Sequence, residues 1–539
     1  MTDGDIPHPR RSVLSADGMV SSSHPAVSFV GARTLAAGGN AVDATLAMAA
    51  MSWLALPAQC GVGGDAFAVV LEPDGTVWTV GGSGFGPDGG TAEFYRDHGL
   101  NAVPLEGALA VAVPGGVAAM HAMHTRSASM SQEELWAPAL AAAERGMPCT
   151  FRTHEDIRDH REALAGDPGT AEMFLPNGAV PPVGMRLPKL DLANSMRELA
   201  KDPLGFYTGV LAERAVAVLG RAGAPFSGAE WAAGAHVALE SSVTGRYRDL
   251  VVHQTPSPSP GWMLLQQAAI CDGQLASREW LSAESVHWMA GSARVAFRDR
   301  WEHCGSDNSA WRTLLGDAAV AKARAGLAAG MLATAPGIRP GGDTTSMVAV
   351  DMQGRAVSFI HSLAFPFGAR MTVPGTGIVL NNRLGRGAYL AEDHPNGVRP
   401  RRKPLHTLNA WLATDSTGHL IHVGNTPGGD GQVQWNMQIL SHLADHGLGP
   451  QDAVTAPRFV VFPGSDADVV GQPEELRCES RMSGHVLTRL TELGHRVRVV
   501  GPWAAGGSAV VITADHERGC LSGGADPRQD GIALGGCRS

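Results

Sequence analysis

Gly341-Gly342-Asp343-Thr344-Thr345-Ser346 is the stretch whose residue types and order could do chemistry. A threonine hydroxyl inside a chain is a weak nucleophile. Cutting the bond before it exposes an α-amino group of pKa about 7.7–8.0, which can then serve as its base. A glycine-rich segment running into a strand that begins with Thr is the layout such self-cleavage needs. Thr344 is therefore the candidate nucleophile and Asp343–Thr344 the candidate cleaved bond. Many strands start with Thr and do no chemistry, so the surrounding elements must decide.

Those elements begin with a β-hairpin. Residues 344–350 and 356–362 read as its strands, and Asp351-Met352-Gln353-Gly354-Arg355 as its turn. If Val350 pairs with Ala356, antiparallel register sets Thr344 opposite Ser362, with Cβ atoms about 4.5–5.5 Å apart. The Ser362 hydroxyl can then orient that of Thr344.

Upstream, residues 24–38 carry a helical apolar pattern that stops at Gly38-Gly39, and Asn40 caps a second helix to about Leu56. Cys60-Gly61-Val62-Gly63-Gly64-Asp65 leads into an apolar strand. No suitable helix follows, so close packing explains these glycines better than a phosphate loop. Residues 116–148, 189–223 and 282–301 read as helices, and another begins near Trp262. Between Gly305 and Gly342 the periodicity fades, as in a linker where cleavage is tolerated. After Thr344 the chain turns strand-rich, with helices near 431–446 and 482–494. Two sheets covered by helices on both sides fit this order.

Bulk properties narrow the function. The formal net charge of −10 argues against a nucleic-acid partner. Seven scattered cysteines without paired spacing give neither a zinc site nor a disulfide framework. The longest apolar stretch, residues 44–58, is too short for a bilayer, and residues 1–11 lack the apolar core of an export signal. We expect a cytoplasmic enzyme acting on a small molecule, with no metal, cofactor or membrane partner. The basic run Arg399, Arg401, Arg402 and Lys403 reads either as a solvated loop or as the lead into a functional loop at Lys403-Pro404-Leu405-His406.

In order and spacing the chain resembles the gamma-glutamyltransferase family of N-terminal nucleophile hydrolases. The resemblance rests on Gly38-Gly39-Asn40-Ala41-Val42-Asp43-Ala44, Val113-Pro114-Gly115-Gly116-Val117, Gly205-Phe206-Tyr207 and Gly245-Arg246-Tyr247-Arg248. After Thr344 it continues through Thr426-Pro427-Gly428-Gly429, Ala456-Pro457-Arg458-Phe459 and Asp526-Pro527-Arg528. It implies an α/β, four-layer αββα fold. It also implies fragments 1–343 and 344–539 that stay associated as one composite domain, and that can pair further. Thr344 would be the nucleophile, and Gly428 and Gly429 would supply the oxyanion-hole amides.

The same resemblance exposes departures. The family holds a glutamyl α-carboxylate with an Arg, where this chain has Ser83, and with paired serines, where it has His406-Thr407. The family's α-amino ligands, Asn, Gln and Asp, are replaced by Ala364, Arg383 and Arg386. Two arginines there disfavour an ammonium and favour an anionic or oxygen-rich group. Asn382-Arg383 and His406-Thr407-Leu408-Asn409 are similar to a divergent branch, the oxamate amidohydrolases. Leu363-Ala364-Phe365-Pro366 and Leu384-Gly385-Arg386 differ from that branch. Arg383, Arg386, His406, Thr407, Asn409 and Ser83 are thus the expected substrate-facing residues. The reaction expected is hydrolysis of an amide or activated C–C bond beside a carboxylate or oxalyl-like group. A gamma-glutamyltransferase with an unusual pocket, an oxalate-releasing C–C hydrolase of alkylproline antibiotic pathways and a non-catalytic binding relative remain alternatives.

Overall fold

The computed structural model describes residues 11–333, 344–463 and 473–536. Asp343 and the glycines before it, and with them the expected cleavage bond, lie outside the described residues.

Strand residues alternate between two faces, and the central hairpin is apolar on both. Along Thr345–Val350, Met347 and Ala349 join a core with helices Pro25–Ala36 and Ala41–Ala55. Val348 and Val350 face the other way, into a second core with Phe67, Ile360, Leu412, Val423 and Ile512. A strand buried on both faces needs a layer on each side. The inner layer is a second sheet.

Both sheets have seven antiparallel strands. The first runs Ile532–Gly535, Met19–Ser22, Thr345–Val350, Ala356–Ser362, Asp65–Leu71, Val77–Gly82, Leu239–Ser241. The second runs Val13–Ser15, Cys520–Ala525, Val510–Asp515, Leu420–Asn425, Trp411–Thr414, Leu250–Gln254, Val243–Tyr247. Helices Gly261–Cys271, Ala283–His303 and Gly431–Ala444 cover its outer face. The result is the expected αββα sandwich. In the first sheet, strand Met19–Ser22 lies between two strands from beyond Thr344, so both halves of the chain build one sheet.

Several sequence landmarks prove to be packing devices. The Tyr207 hydroxyl donates to Pro114 O at 2.8 Å and accepts from Ala118 N at 3.1 Å, tying two of them together. Arg528 binds Glu479 at 2.7 Å and Asp526 at 3.0 Å, and Arg458 reaches Asp526 at 2.5 Å, all deeply buried. That network joins the C-terminal strands to the small sheet Phe459–Phe462, Glu475–Glu479, Val497–Val500.

The helical segments differ in detail from expectation. Residues 116–148 form two helices, Gly116–Ser127 and Gln132–Arg145, because Ser131 and Glu134 make a capping box that starts the second afresh. Residues 189–223 form three: Leu190–Lys201, Gly205–Thr208 and Val210–Arg221. The supposed linker contains Ala310–Leu314 and Asp317–Ala328. Alanine favours helix without needing an apolar stripe, and Leu327 alone is buried in the second of these, so its periodicity is faint. The six described cysteines are all thiols.

Burial pushes His361 and His442 down to about 3, and burial with the nearby Arg383 does the same to His406. The unfolded chain binds protons at these histidines near pH 6.5 and the folded one does not. Folded pKa values below unfolded ones mean stability that is present above about pH 6.5 and lost as pH falls toward the folded values. The melting temperature should therefore drop steadily from about pH 7 to about pH 4.5. Calorimetry that finds it level would show these rings taking up protons inside the fold.

Candidate active site

Register builds the site. Thr345 pairs with His361 and Val350 with Ala356, the pairing expected from the turn, which sets Thr344 opposite Ser362. On the next strand Ser362 pairs with Asp65. Ala66 pairs with Gly82, and one residue further that register sets Asp65 beside Ser83. Thr344, Ser362, Asp65 and Ser83 thus form a transverse polar row across four strands. By strand alternation all four lie on the face toward the second sheet, and all are buried.

Within the row the Thr344 hydroxyl donates to Ser362 Oγ at 3.1 Å. Ser362 Oγ also accepts from Ala364 N at 2.9 Å. Ala364 takes φ of 89°, a backbone region that disfavours a side chain. That turn directs the chain after Ser362 toward Arg386, whose Nη1 donates to Ala364 O at 2.8 Å and whose guanidinium covers the Phe365 ring.

Asp65 is the residue that sequence reasoning missed; it read only as the end of a glycine turn. Its carboxylate accepts from Arg383 Nε at 2.9 Å and from His406 Nε2 at 3.2 Å, with all three side chains fully buried. Burial alone would raise the Asp65 carboxyl, but the His406 hydrogen bond and the Arg383 guanidinium hold it below its ordinary value. His406 is neutral and carries its proton on Nε2, toward Asp65. The only sequence signal was an acidic residue opening a wholly apolar strand after Gly63-Gly64. Those glycines are needed for close approach: a Cβ at Gly63 would sit 2.2 Å from Val379 O, and one at Gly64 2.5 Å from Ser362 O.

Arg383, expected to face an acyl group, therefore already has a carboxylate partner inside the protein. Asn409 also differs from expectation: its Nδ2 donates to Thr407 O and Gln432 Oε1, both at 3.2 Å. Both amide hydrogens are engaged, so Asn409 positions its neighbours. Thr407 Oγ1 and His406 Nδ1 are buried with no hydrogen-bond partner among the described residues. Among the described residues, Ser83 Oγ donates to the adjacent Gly84 O, at 3.3 Å.

The Thr426–Gly429 loop leaves a strand that lies over the nucleophile hairpin. Ser358 Oγ donates to Gly424 O at 2.9 Å and accepts from Asn425 Nδ2 at 3.1 Å. Gly428 and Gly429 take φ of 122° and 58°, and their carbonyls accept from Gly431 N and Gln432 N. Arg300 pins the loop beside His406, with Nη1 at 3.0 Å from Asp430 and Nη2 at 3.1 Å from His406 O. A Cβ at Gly428 would lie 2.3 Å from the Trp435 ring.

Two sheets between helical layers, with a threonine hydroxyl opening a central hairpin, define the N-terminal nucleophile hydrolase class of enzyme. The family model described as gamma-glutamyltranspeptidase matches residues 27–536, and the chain belongs to that family. It is 34% identical to a glutathione hydrolase-like YwrD proenzyme of Bacillus subtilis, over 97% of this chain and 99% of that protein. It is 30% identical to an oxamate amidohydrolase proenzyme of Klebsiella pneumoniae, again over 97% and 99%. Among solved structures it is similar to a cephalosporin acylase from Bacillus halodurans, with a TM-score of 0.89 at 26% identity and full coverage of both chains. No helix among the described residues is long and apolar enough to cross a membrane.

Proposed function

We propose that this chain is a self-processing threonine hydrolase of amides whose acyl group carries a carboxylate or oxalyl-like group. The observation that carries this reading is the Thr344–Ser362 hydrogen bond at 3.1 Å, set in the polar row beside Asp65.

Processing begins with Thr344 Oγ1 attacking the Asp343 carbonyl. The C–N bond breaks, the nitrogen takes the hydroxyl proton, and water hydrolyses the resulting ester. Thr344 then has a free amine in a fragment of 539 − 343 = 196 residues. In turnover that amine takes the Oγ1 proton as the oxygen attacks the substrate carbonyl. Gly428 and Gly429 N–H groups stabilise the tetrahedral oxyanion. The amine hands its proton to the leaving nitrogen, and water clears the acyl-enzyme. Ser362 keeps the hydroxyl pointing along the row throughout.

Arg383 and neutral His406 hold the Asp65 carboxylate, at 2.9 and 3.2 Å, and Arg386 lies near enough to act on His406, which leaves two guanidinium charges against one carboxylate. That wall suits an anionic acyl group and repels an α-ammonium. Relatives named for oxamate and for acylase activity support this reading, and the 34% identical relative named glutathione hydrolase-like makes a gamma-glutamyl substrate the alternative to test. Purified, processed protein should hydrolyse oxamate or glutaryl-p-nitroanilide and act poorly on gamma-glutamyl-p-nitroanilide. Efficient gamma-glutamyl hydrolysis would overturn the substrate assignment.

Gly428→Ala should lower turnover by on the order of a hundredfold or more, the usual effect of displacing an oxyanion donor. The added Cβ must push the loop away from Trp435. Unchanged turnover in a variant with wild-type circular dichroism would remove these glycines from the mechanism.

A further inference from the structure

Gln432 stands at the start of helix Gly431–Ala444, and its backbone N donates to Gly429 O at 3.1 Å. Its side chain is fully buried. Three other side chains fix how its carboxamide points. The Trp411 indole N–H can only donate, and it does so to Asn436 Oδ1 at 3.1 Å. Asn436 must therefore present its Nδ2, which donates to Asn409 Oδ1 at 3.0 Å. Asn409 must in turn present Nδ2, which donates to Gln432 Oε1 at 3.2 Å. One indole hydrogen thus sets the direction of all three amides, and Gln432 Nε2 is a donor by necessity.

That donor has no acceptor among the described residues. A buried donor left unmade is costly, so such a group calls for a partner. Gln432 is tied by hydrogen bonds to the Gly428-Gly429 loop on one side and, through Asn409, to Thr407 on the other. Thr407 Oγ1 is likewise buried without a hydrogen-bond partner among the described residues.

We propose that Gln432 is a specificity-determining residue whose Nε2–H donates to a carboxylate or carbonyl oxygen on the acyl side of the substrate. This rests on the reading of that face as the acyl pocket. Asn409, Asn436 and Trp411 are positioning residues that keep the donor turned outward from their relay.

The test is calorimetric titration of processed protein with glutarate and with oxalate, as stand-ins for the acid product. Gln432→Met removes the donor. Gln432→Glu keeps the acceptor for Asn409 but sets a negative oxygen where the donor was. Both variants should be cut like the wild type, which reports folding and processing separately from binding. For the acid that wild type binds, Gln432→Met should weaken affinity by about tenfold to a hundredfold, the range for a hydrogen bond to a charged group. Gln432→Glu should weaken it further. If Gln432 merely supported the relay, Gln432→Glu would be the milder change, and that order would overturn the proposal. Failure of wild type to bind either acid, or equal binding by wild type and Gln432→Met, would also overturn it. If Gln432→Glu misfolds, the Met variant alone decides. A wild-type chain that stays uncut but binds as described would instead refute self-processing and leave the donor role standing.

Discussion

Thr344→Ala is expected to yield one uncut chain of 539 residues with no detectable amide hydrolysis. The substitution removes the hydroxyl that both reactions use and, by preventing the cut, the amine that would be its base. Removing a nucleophile that works as a unit with its base costs on the order of a millionfold in turnover. The fold should survive. Thr344 contributes one hydrogen bond to Ser362, and such a bond is worth about 1 kcal/mol. Gel electrophoresis, turnover and a melting curve on the same preparation check all three points. A cut chain, or an uncut chain that still hydrolyses amides, would place the nucleophile elsewhere.

Asp65→Asn should be the most damaging single change away from the nucleophile. Asp65 is the carboxylate partner of Arg383, and both side chains are fully buried. Removing one member of a buried ion pair leaves a charge uncompensated, at a cost of about 3–5 kcal/mol. The loss should appear as a fall of several degrees in melting temperature. It should also appear as impaired processing, because Asp65 adjoins Ser362 in the sheet. Arg383→Gln alone should also destabilise, by stranding the carboxylate. The double variant Asp65→Asn with Arg383→Gln should recover much of the stability, since neither charge is then orphaned. It should not recover activity, because His406 has lost the carboxylate that orients its ring. Additive destabilisation in the double variant would mean that the two groups act independently.

The hairpin was legible because its turn length fixes its register, and register fixes which side chains face each other. That logic reached Ser362 from Thr344 with nothing but counting. It could not reach Asp65, which enters from a strand far earlier in the chain; only the sheet order makes it a neighbour of Ser362. Nor could it show that Arg383 is paired, because an arginine read alone looks like a ligand for something outside the protein. The Asn409 relay was hidden for a related reason. Amide direction depends on a distant indole N–H, and no local pattern records that link. The outer helices were read too long at 116–148, where a capping box restarts the helix, and missed at 317–328, where alanine left no stripe.

Intact-mass spectrometry of the purified protein, with N-terminal sequencing of the smaller species, tests self-processing at Thr344 most directly. Two fragments that co-purify are expected, of 343 and 539 − 343 = 196 residues, the second beginning Thr344-Thr345-Ser346. They should stay together without a covalent link, because strand Met19–Ser22 from the first pairs on both sides with strands of the second. A small fragment beginning at Thr345 or Ser346 would move the nucleophile, and fully active protein of 56.1 kDa with no cut would contradict the mechanism outright.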